Sequence, residues 1–155
     1  MAQMVKNLLQ CRVFFGFVPV GCTYYTMAHD WTWNVTIGCA ACGLVSDLLL
    51  MLNNYRDREQ DKISGKRTLV VRLGEKAGRY AYLLLGIIAT GLCSYYAFHE
   101  HLLAAILPLL FLILHFTTWR EMVRIFQGKE LNIVLGKTAR NIVVFGILLS
   151  LGLIL

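Results

Sequence analysis

Residues 31–52 read WTWNVTIGCAACGLVSDLLLML, and this run decides the fold class. Its one charge is Asp47. About 20 apolar residues wound as a helix cross the hydrocarbon core of a bilayer, so the run is long enough to span one. Outward from it lie four more apolar stretches, roughly Val13–Ala28, Tyr80–Phe98, Leu102–Trp119 and Asn141–Leu155. The 155-residue chain has fifteen Lys/Arg and nine Asp/Glu, and of these only Asp47 falls inside a stretch. Hydrophobic residues make up 57% of the chain, and mean hydropathy is +0.61. A disordered chain needs the opposite composition. A soluble domain buries one helix that is apolar all round, hardly five. The expectation is an all-α integral membrane helical bundle with five transmembrane helices, forming one domain over residues 1–155. The two shorter stretches would start earlier, tilt or thin the bilayer locally.

Charge sets the orientation. The net charge is +6, which in a soluble protein would suggest nucleic acid. Here it follows the rule that basic loops stay in the cytoplasm. His29-Asp30 and His99-Glu100-His101 contain no Lys or Arg, whereas residues 53–79 and 120–140 are long and basic. With alternating helices, these two segments, Lys6 and Arg12 all fall on one face. The chain is therefore expected in the cytoplasmic membrane with its N-terminus inside, its C-terminus outside and no nucleic-acid partner. Trp31, Trp33 and Trp119 stand at span ends, as interfacial aromatics do. Five cysteines show no disulfide-framework spacing. No cleavable signal peptide is expected.

Chemistry concentrates in residues 53–74, NNYRDREQDKISGKRTLVVRLG. If the second helix continues two turns past the membrane, Asn53, Asp57 and Asp61 fall at i, i+4 and i+8 on one face, with Asn54 beside them. Two carboxylates one turn apart, with amide oxygens nearby, suit Mg²⁺, which takes one or two carboxylates and lets substrate phosphates complete its octahedron. Ser64-Gly65 breaks the helix, and Lys66, Arg67 and Arg72 follow as donors to phosphate oxygens. Together these point to a lipid diphosphate held through metal at the membrane boundary. A solvated loop with i,i+4 ion pairs is the plainer alternative.

This segment resembles a family. Asn-Asn-x-Arg-Asp-x-x-x-Asp, followed by Ser-Gly-Lys-Arg-Thr-Leu and Val-Arg-Leu-Gly, is similar to the second aspartate-rich motif of the UbiA-type intramembrane prenyltransferases. Its Gly-Lys-Arg-Thr-Leu tail most resembles the branch that prenylates 1,4-dihydroxy-2-naphthoate in menaquinone synthesis. Phe14-Phe15-Gly16 with Thr23-Tyr24-Tyr25, and Thr138-Ala139-Arg140 before a Gly/Leu helix, are weaker echoes. The resemblance implies a nine-helix fold around a lipid-filled chamber, with Mg²⁺ bridging two aspartate-rich motifs to a polyprenyl diphosphate. It implies ionisation to an allylic cation, which the naphthoate ring attacks with loss of its carboxylate. Carried over by motif, Asp57 and Asp61 are the catalytic and metal-binding residues. Asn53, Asn54, Lys66, Arg67 and Arg72 would serve the diphosphate. Cations placed where leaving-group charge develops lower the barrier.

The chain departs from the family at its front, where about four helices are missing and residues 1–12 do not resemble the polar Gly-rich segment that precedes Phe14 in relatives. No Asn-x-x-x-Asp-x-x-x-Asp spacing precedes Asn53; the earlier acids are Asp30 and Asp47. The expectation is the C-terminal portion of the fold, inactive alone, with a separate N-terminal half as a possible partner. Alternatives are another aromatic acceptor, such as 4-hydroxybenzoate, or a non-catalytic membrane fragment.

Other features weigh less. Asp47 within a span is a functional candidate by default. Cys39-Ala-Ala-Cys42 reads as close helix packing rather than metal binding. His99 and His101 have too few neighbouring ligands for a metal. His115 reads as a hydrogen-bonded structural residue, and Pro108 as a kink. The Asn34-Val-Thr36 sequon is short and interfacial and carries no argument. Arg120, Arg124, Lys129, Lys137 and Arg140 are explained by topology, with contact to diphosphate as the alternative.

Overall fold

The computed structural model describes residues 13–99 and 101–155. Lys6, Arg12 and Glu100 lie outside the described residues. A π-helical segment, Val13–Cys22, runs into a short helix, α1 (Thr23–Ala28). Pro19 inside that segment lacks an N–H, which disturbs the ordinary helical bonding. Then follow α2 (Trp33–Arg56), α3 (Arg58–Ile63), α4 (Leu69–Cys93), a 3₁₀ turn (Ser94–Phe98), α5 (Leu102–Ile106), α6 (Leu109–Ile125) and α7 (Leu131–Ile154). There is no strand among the described residues. The structure is the all-helical membrane bundle expected.

Among the described residues, four helical units are long and apolar enough to cross a bilayer: Trp33–Arg56, Leu69–Phe98, Leu102–Ile125 and Leu131–Ile154. The first expected span, Val13–Ala28, falls short of that length within the described residues. The other boundaries also shift. Helix α4 starts well before Tyr80, and α7 well before Asn141. Both take in polar turns that hydropathy alone assigns to loops, because backbone hydrogen bonding carries a helix through charged residues once it is nucleated. Pro108 acts as expected: it separates α5 from α6 within one span.

Capping residues set the starts. Thr32 accepts from the Val35 N–H and opens α2, and Thr68 does the same with Val71 for α4. Helix α2 is the centre of the bundle. It packs against α4, α7 and the Val13–Cys22 segment, while α4 packs on α6 and α5 on α7. Lipid is as apolar as leucine, so close packing rather than burial from water holds such helices together. Small residues make that approach possible. A Cβ on Gly16 would meet the Cys39 carbonyl at 2.5 Å and the Gly43 Cα at 2.8 Å. The Cys39-Ala-Ala-Cys42-Gly43 run is therefore a packing surface.

Polar side chains bridge the helices. Asn141 donates to Thr118 Oγ1 (2.9 Å) and the Leu114 carbonyl (3.3 Å), and Tyr82 pairs with Thr138 (2.8 Å). His115 is buried, stacked against Tyr82 and Phe111, with Nε2 3.3 Å from the Leu83 carbonyl. The hydrogen-bonded structural role expected of it holds. Asp47 is fully buried.

The two basic segments meet at one end of the bundle. Arg56, at the end of α2, donates to Asn132 Oδ1 in the first turn of α7 at 2.9 Å. At the other end, Tyr96 donates to the Asn34 carbonyl at 2.7 Å.

Candidate functional site

The helix does run two turns past the apolar stretch, with a joint at Asp57. There φ is −91° and ψ 7°, off the helical values. Even so, the Asp57 N–H reaches the Asn53 carbonyl (2.9 Å), and the Asp61 N–H reaches the Asp57 carbonyl (2.8 Å). The i, i+4, i+8 register of Asn53, Asp57 and Asp61 survives the joint.

Helix α3 ends on a Schellman turn. The Gly65 N–H bonds to the Lys62 carbonyl (3.3 Å), and the Lys66 N–H to the Asp61 carbonyl (2.8 Å). Gly65 has φ +72°, where a side chain would be strained. This turn folds the chain back so that Lys66 lies beside the carboxylate it follows by five residues. The Lys66 ammonium is 3.3 Å from Asp61 Oδ1. Asp61 is buried, whereas Lys66 is largely exposed. Arg67 and Arg72 are exposed and pair with no carboxylate among the described residues. Just beyond, Gly74 (φ 87°, ψ 167°) kinks α4 in a conformation open essentially to glycine alone.

Asp57 stands elsewhere. Arg56 grips it with two hydrogen bonds, Nε to Oδ1 at 2.7 Å and Nη2 to Oδ2 at 2.8 Å. That guanidinium, and more weakly Lys66, hold the Asp57 carboxyl below the usual carboxylate range against the opposing effect of desolvation. Asp57 lines an open cavity of about 810 Å³ between α3 and the α6–α7 loop, with Arg56, Glu59, Gln127, Lys129 and Asn132. Asp61 does not line it. Asn53 and Asn54 are half-buried in the last turn of α2. The aspartates thus share a helix register but not a cavity wall, and Lys66 acts on both.

Beneath the cavity is a cluster that motif reading missed. Arg58 is buried, donates to the Tyr55 carbonyl (2.8 Å), and stacks on the Tyr55 and Phe126 rings at 4.5 and 5.1 Å. Arg79 donates to the Tyr55 hydroxyl (2.8 Å) and stacks on Phe126 at 4.9 Å. Glu75 lies 3.8 Å from Arg58 and 3.7 Å from Arg79. Phe126 takes φ +67° and ψ −54°, closed by a hydrogen bond from the Gln127 N–H to the Ile125 carbonyl at 2.7 Å. This is a strained γ-turn, rare outside positions that the surroundings enforce. It inserts the ring over both guanidiniums and brings Gln127 to the cavity wall. Arg58 and Arg79 look like loop charges in the sequence; the only signal of their role is the aromatic content nearby.

The described residues contain no group of three or more His, Cys, Asp or Glu that could hold a metal ion. The donor set on the cavity wall is two carboxylates, Asp57 and the more exposed Glu59, with amide oxygens around them. That is too little for a metal centre made by protein alone. It fits a hard divalent cation that binds through one or two carboxylates and shares the rest of its shell with water and substrate phosphate.

A membrane bundle with an acid–base cavity at one end, next to an aspartate-rich helix joint, defines a class that comparison makes specific. Residues 7–130 match the UbiA prenyltransferase family, and the chain belongs to that family. It is 35% identical to the 1,4-dihydroxy-2-naphthoate octaprenyltransferase of Haemophilus influenzae over 92% of this chain and 47% of that protein. The enzyme of the same name from Escherichia coli matches at 35%, with the same coverage. That from Mycobacterium leprae is 40% identical over 53% of this chain and 28% of its own length. The chain spans about half the length of the relatives from H. influenzae and E. coli. No solved structure matches it.

Proposed function

We propose that the chain forms part of a membrane prenyltransferase that moves a polyprenyl group from its diphosphate to 1,4-dihydroxy-2-naphthoate, in menaquinone synthesis. The observation that carries this reading is the placement of Asp57 and its basic neighbours on one cavity at the charged end of the bundle. The names of the relatives support the acceptor. The positive-inside rule assigns that end to the cytoplasm, with the C-terminus outside.

In this reading the diphosphate enters the Asp57 cavity. Lys129 and Arg56 line it there, while Lys66 and Arg67 stand in the turn before α4 and Arg72 in the first turn of α4. Asn53 and Asn54 offer amide groups one turn below. Mg²⁺, when bound through Asp57, would neutralise the diphosphate and favour its departure. Divalent-metal dependence is general in this family, and the identity of the ion is part of the proposal. Asp61 stands off the cavity wall and serves the site through Lys66, which it holds in place. Cations fixed before the reaction stabilise leaving-group charge without reorganising.

The test is turnover of 1,4-dihydroxy-2-naphthoate and octaprenyl diphosphate in membranes. The chain is assayed alone and co-expressed with the N-terminal half of a naphthoate relative, with 4-hydroxybenzoate as the competing acceptor. Prenylated naphthoate from the co-expressed halves is expected, and none from the chain alone. No product from either preparation argues for a non-catalytic fragment, and product on 4-hydroxybenzoate argues for that acceptor instead.

A further inference from the structure

Three basic residues near the charged end of the bundle take no part in the Asp57 cavity. Arg120, Arg124 and Lys137 line a separate cavity of about 510 Å³ between α6 and α7, with Thr117 and Glu121. Glu121 is already engaged: both its oxygens accept from the Lys137 ammonium, at 2.8 and 2.6 Å. No carboxylate among the described residues pairs with Arg120 or Arg124, and both are exposed. The cavity thus holds three cations against one carboxylate, and two guanidiniums are uncompensated.

The surface below this cavity is apolar. Ile113, Thr117, Arg120 and Arg124 follow at i, i+4, i+7 and i+11, so they form one stripe along α6. Ile113 is 64% exposed, and Phe116 beside it 48%. Read along the helix, the stripe passes from exposed apolar side chains to exposed guanidiniums within two turns. Such a profile matches the boundary between acyl chains and headgroups. A phosphate ester at this depth meets planar donors that bind its oxygens in pairs. Its acyl chains would lie over Ile113 and Phe116.

From the charge excess and its depth, we infer that the α6–α7 cavity binds the phosphate headgroup of an acidic phospholipid. Basic pockets between membrane helices select such headgroups, through attraction that fades within a Debye length of the surface. The inference does not depend on the prenyl-transfer reading, because it uses none of that site's residues.

The probe is Trp119, which adjoins Arg120. In the full chain carrying Trp31→Phe and Trp33→Phe it is the sole tryptophan. The protein is reconstituted in vesicles of phosphatidylcholine with brominated phosphatidylglycerol, or the reverse, and quenching of Trp119 gives the relative affinity of the two lipids. A preference of about threefold for phosphatidylglycerol is expected. It should fall to near unity in Arg120→Gln/Arg124→Gln and persist in Arg120→Lys/Arg124→Lys. It should also persist in Lys62→Gln/Lys76→Gln, which removes two charges from the same end of the bundle. Equal quenching by both lipids in the parent chain overturns the inference. So does an equal loss in the Lys62/Lys76 variant, which would mark a general surface effect. Erasure of the preference by millimolar inorganic phosphate, or by octaprenyl diphosphate, also overturns it, by assigning the pocket to free anions or to substrate.

Discussion

Arg56 binds the carboxylate of its own chain neighbour, Asp57, through two hydrogen bonds of 2.7 and 2.8 Å, and with its third nitrogen reaches Asn132 on α7 at 2.9 Å. One guanidinium thus orients the accessible acid and pins the opposite wall of the cavity. Neighbours in sequence rarely face each other on a regular helix. The joint at Asp57 is what lets these two meet.

A pH dependence follows. The folded-state pKa of Asp57 is depressed, chiefly by its hydrogen bonds to Arg56. Its contribution to stability is therefore present above the ordinary carboxylate range and is lost as pH falls through the depressed value. The Asp57 side chain is 43% exposed, so solvent screening limits the effect to about 0.5 kcal/mol. In Arg56→Gln this acid-side loss should vanish. Unfolding in detergent, followed from pH 6 down to 2.5, compares the two; identical profiles would reject the pairing.

Asp57→Asn and Asp61→Asn should each lower turnover in the complemented enzyme by roughly 10²-fold, the first by removing a carboxylate from the diphosphate cavity and the second by releasing Lys66. They should differ otherwise. Asp57→Asn raises the Mg²⁺ concentration needed for half-maximal rate. Asp61→Asn frees Lys66 and leaves that concentration closer to the parent value. A titration of rate against Mg²⁺ separates them, and parent rates in both variants would reject the site.

The γ-turn at Phe126 makes a signed prediction. Phe126→Ala loses both guanidinium stacks and keeps the unfavourable φ. Phe126→Gly loses the same stacks but tolerates that φ. Both should be less stable than the parent, the alanine variant by about 1 kcal/mol more than the glycine variant. If alanine proves the more stable in urea unfolding, the strain is absent.

Gly86 approaches the His115 ring so closely that an added Cβ would clash with its Cδ2 and Nε2 atoms. Gly86→Ala should cost about 1–3 kcal/mol through overpacking between α4 and α6. His115→Ala opens space, so the double variant should be more stable than the sum of the single changes predicts. Simple additivity would mean that the two positions do not touch.

Much of this was legible in the residues. Long apolar runs in a chain with few charges leave membrane helices as the only way to satisfy the backbone, so the class followed directly. The order Asn53, Asp57, Asp61, Ser64-Gly65, Lys66 encodes a helix, its end and a returning cation, because periodicity and glycine stops are local effects. Helix ends were less legible, since α4 and α7 extend through charged turns that hydropathy treats as loops.

Contacts far apart in sequence were decided only by tertiary structure. Residues alone do not say that Arg56 meets Asn132, that Phe126 covers Arg58 and Arg79, or that Arg120 and Arg124 stand in a different cavity from Asp57. Each depends on which helix faces lie together, and that is set by close approach at Gly16, Gly43 and Gly86 and by the kinks at Pro108 and Gly74. Local sequence determines which segments are helices and which end is charged; packing determines which of those charges face one another.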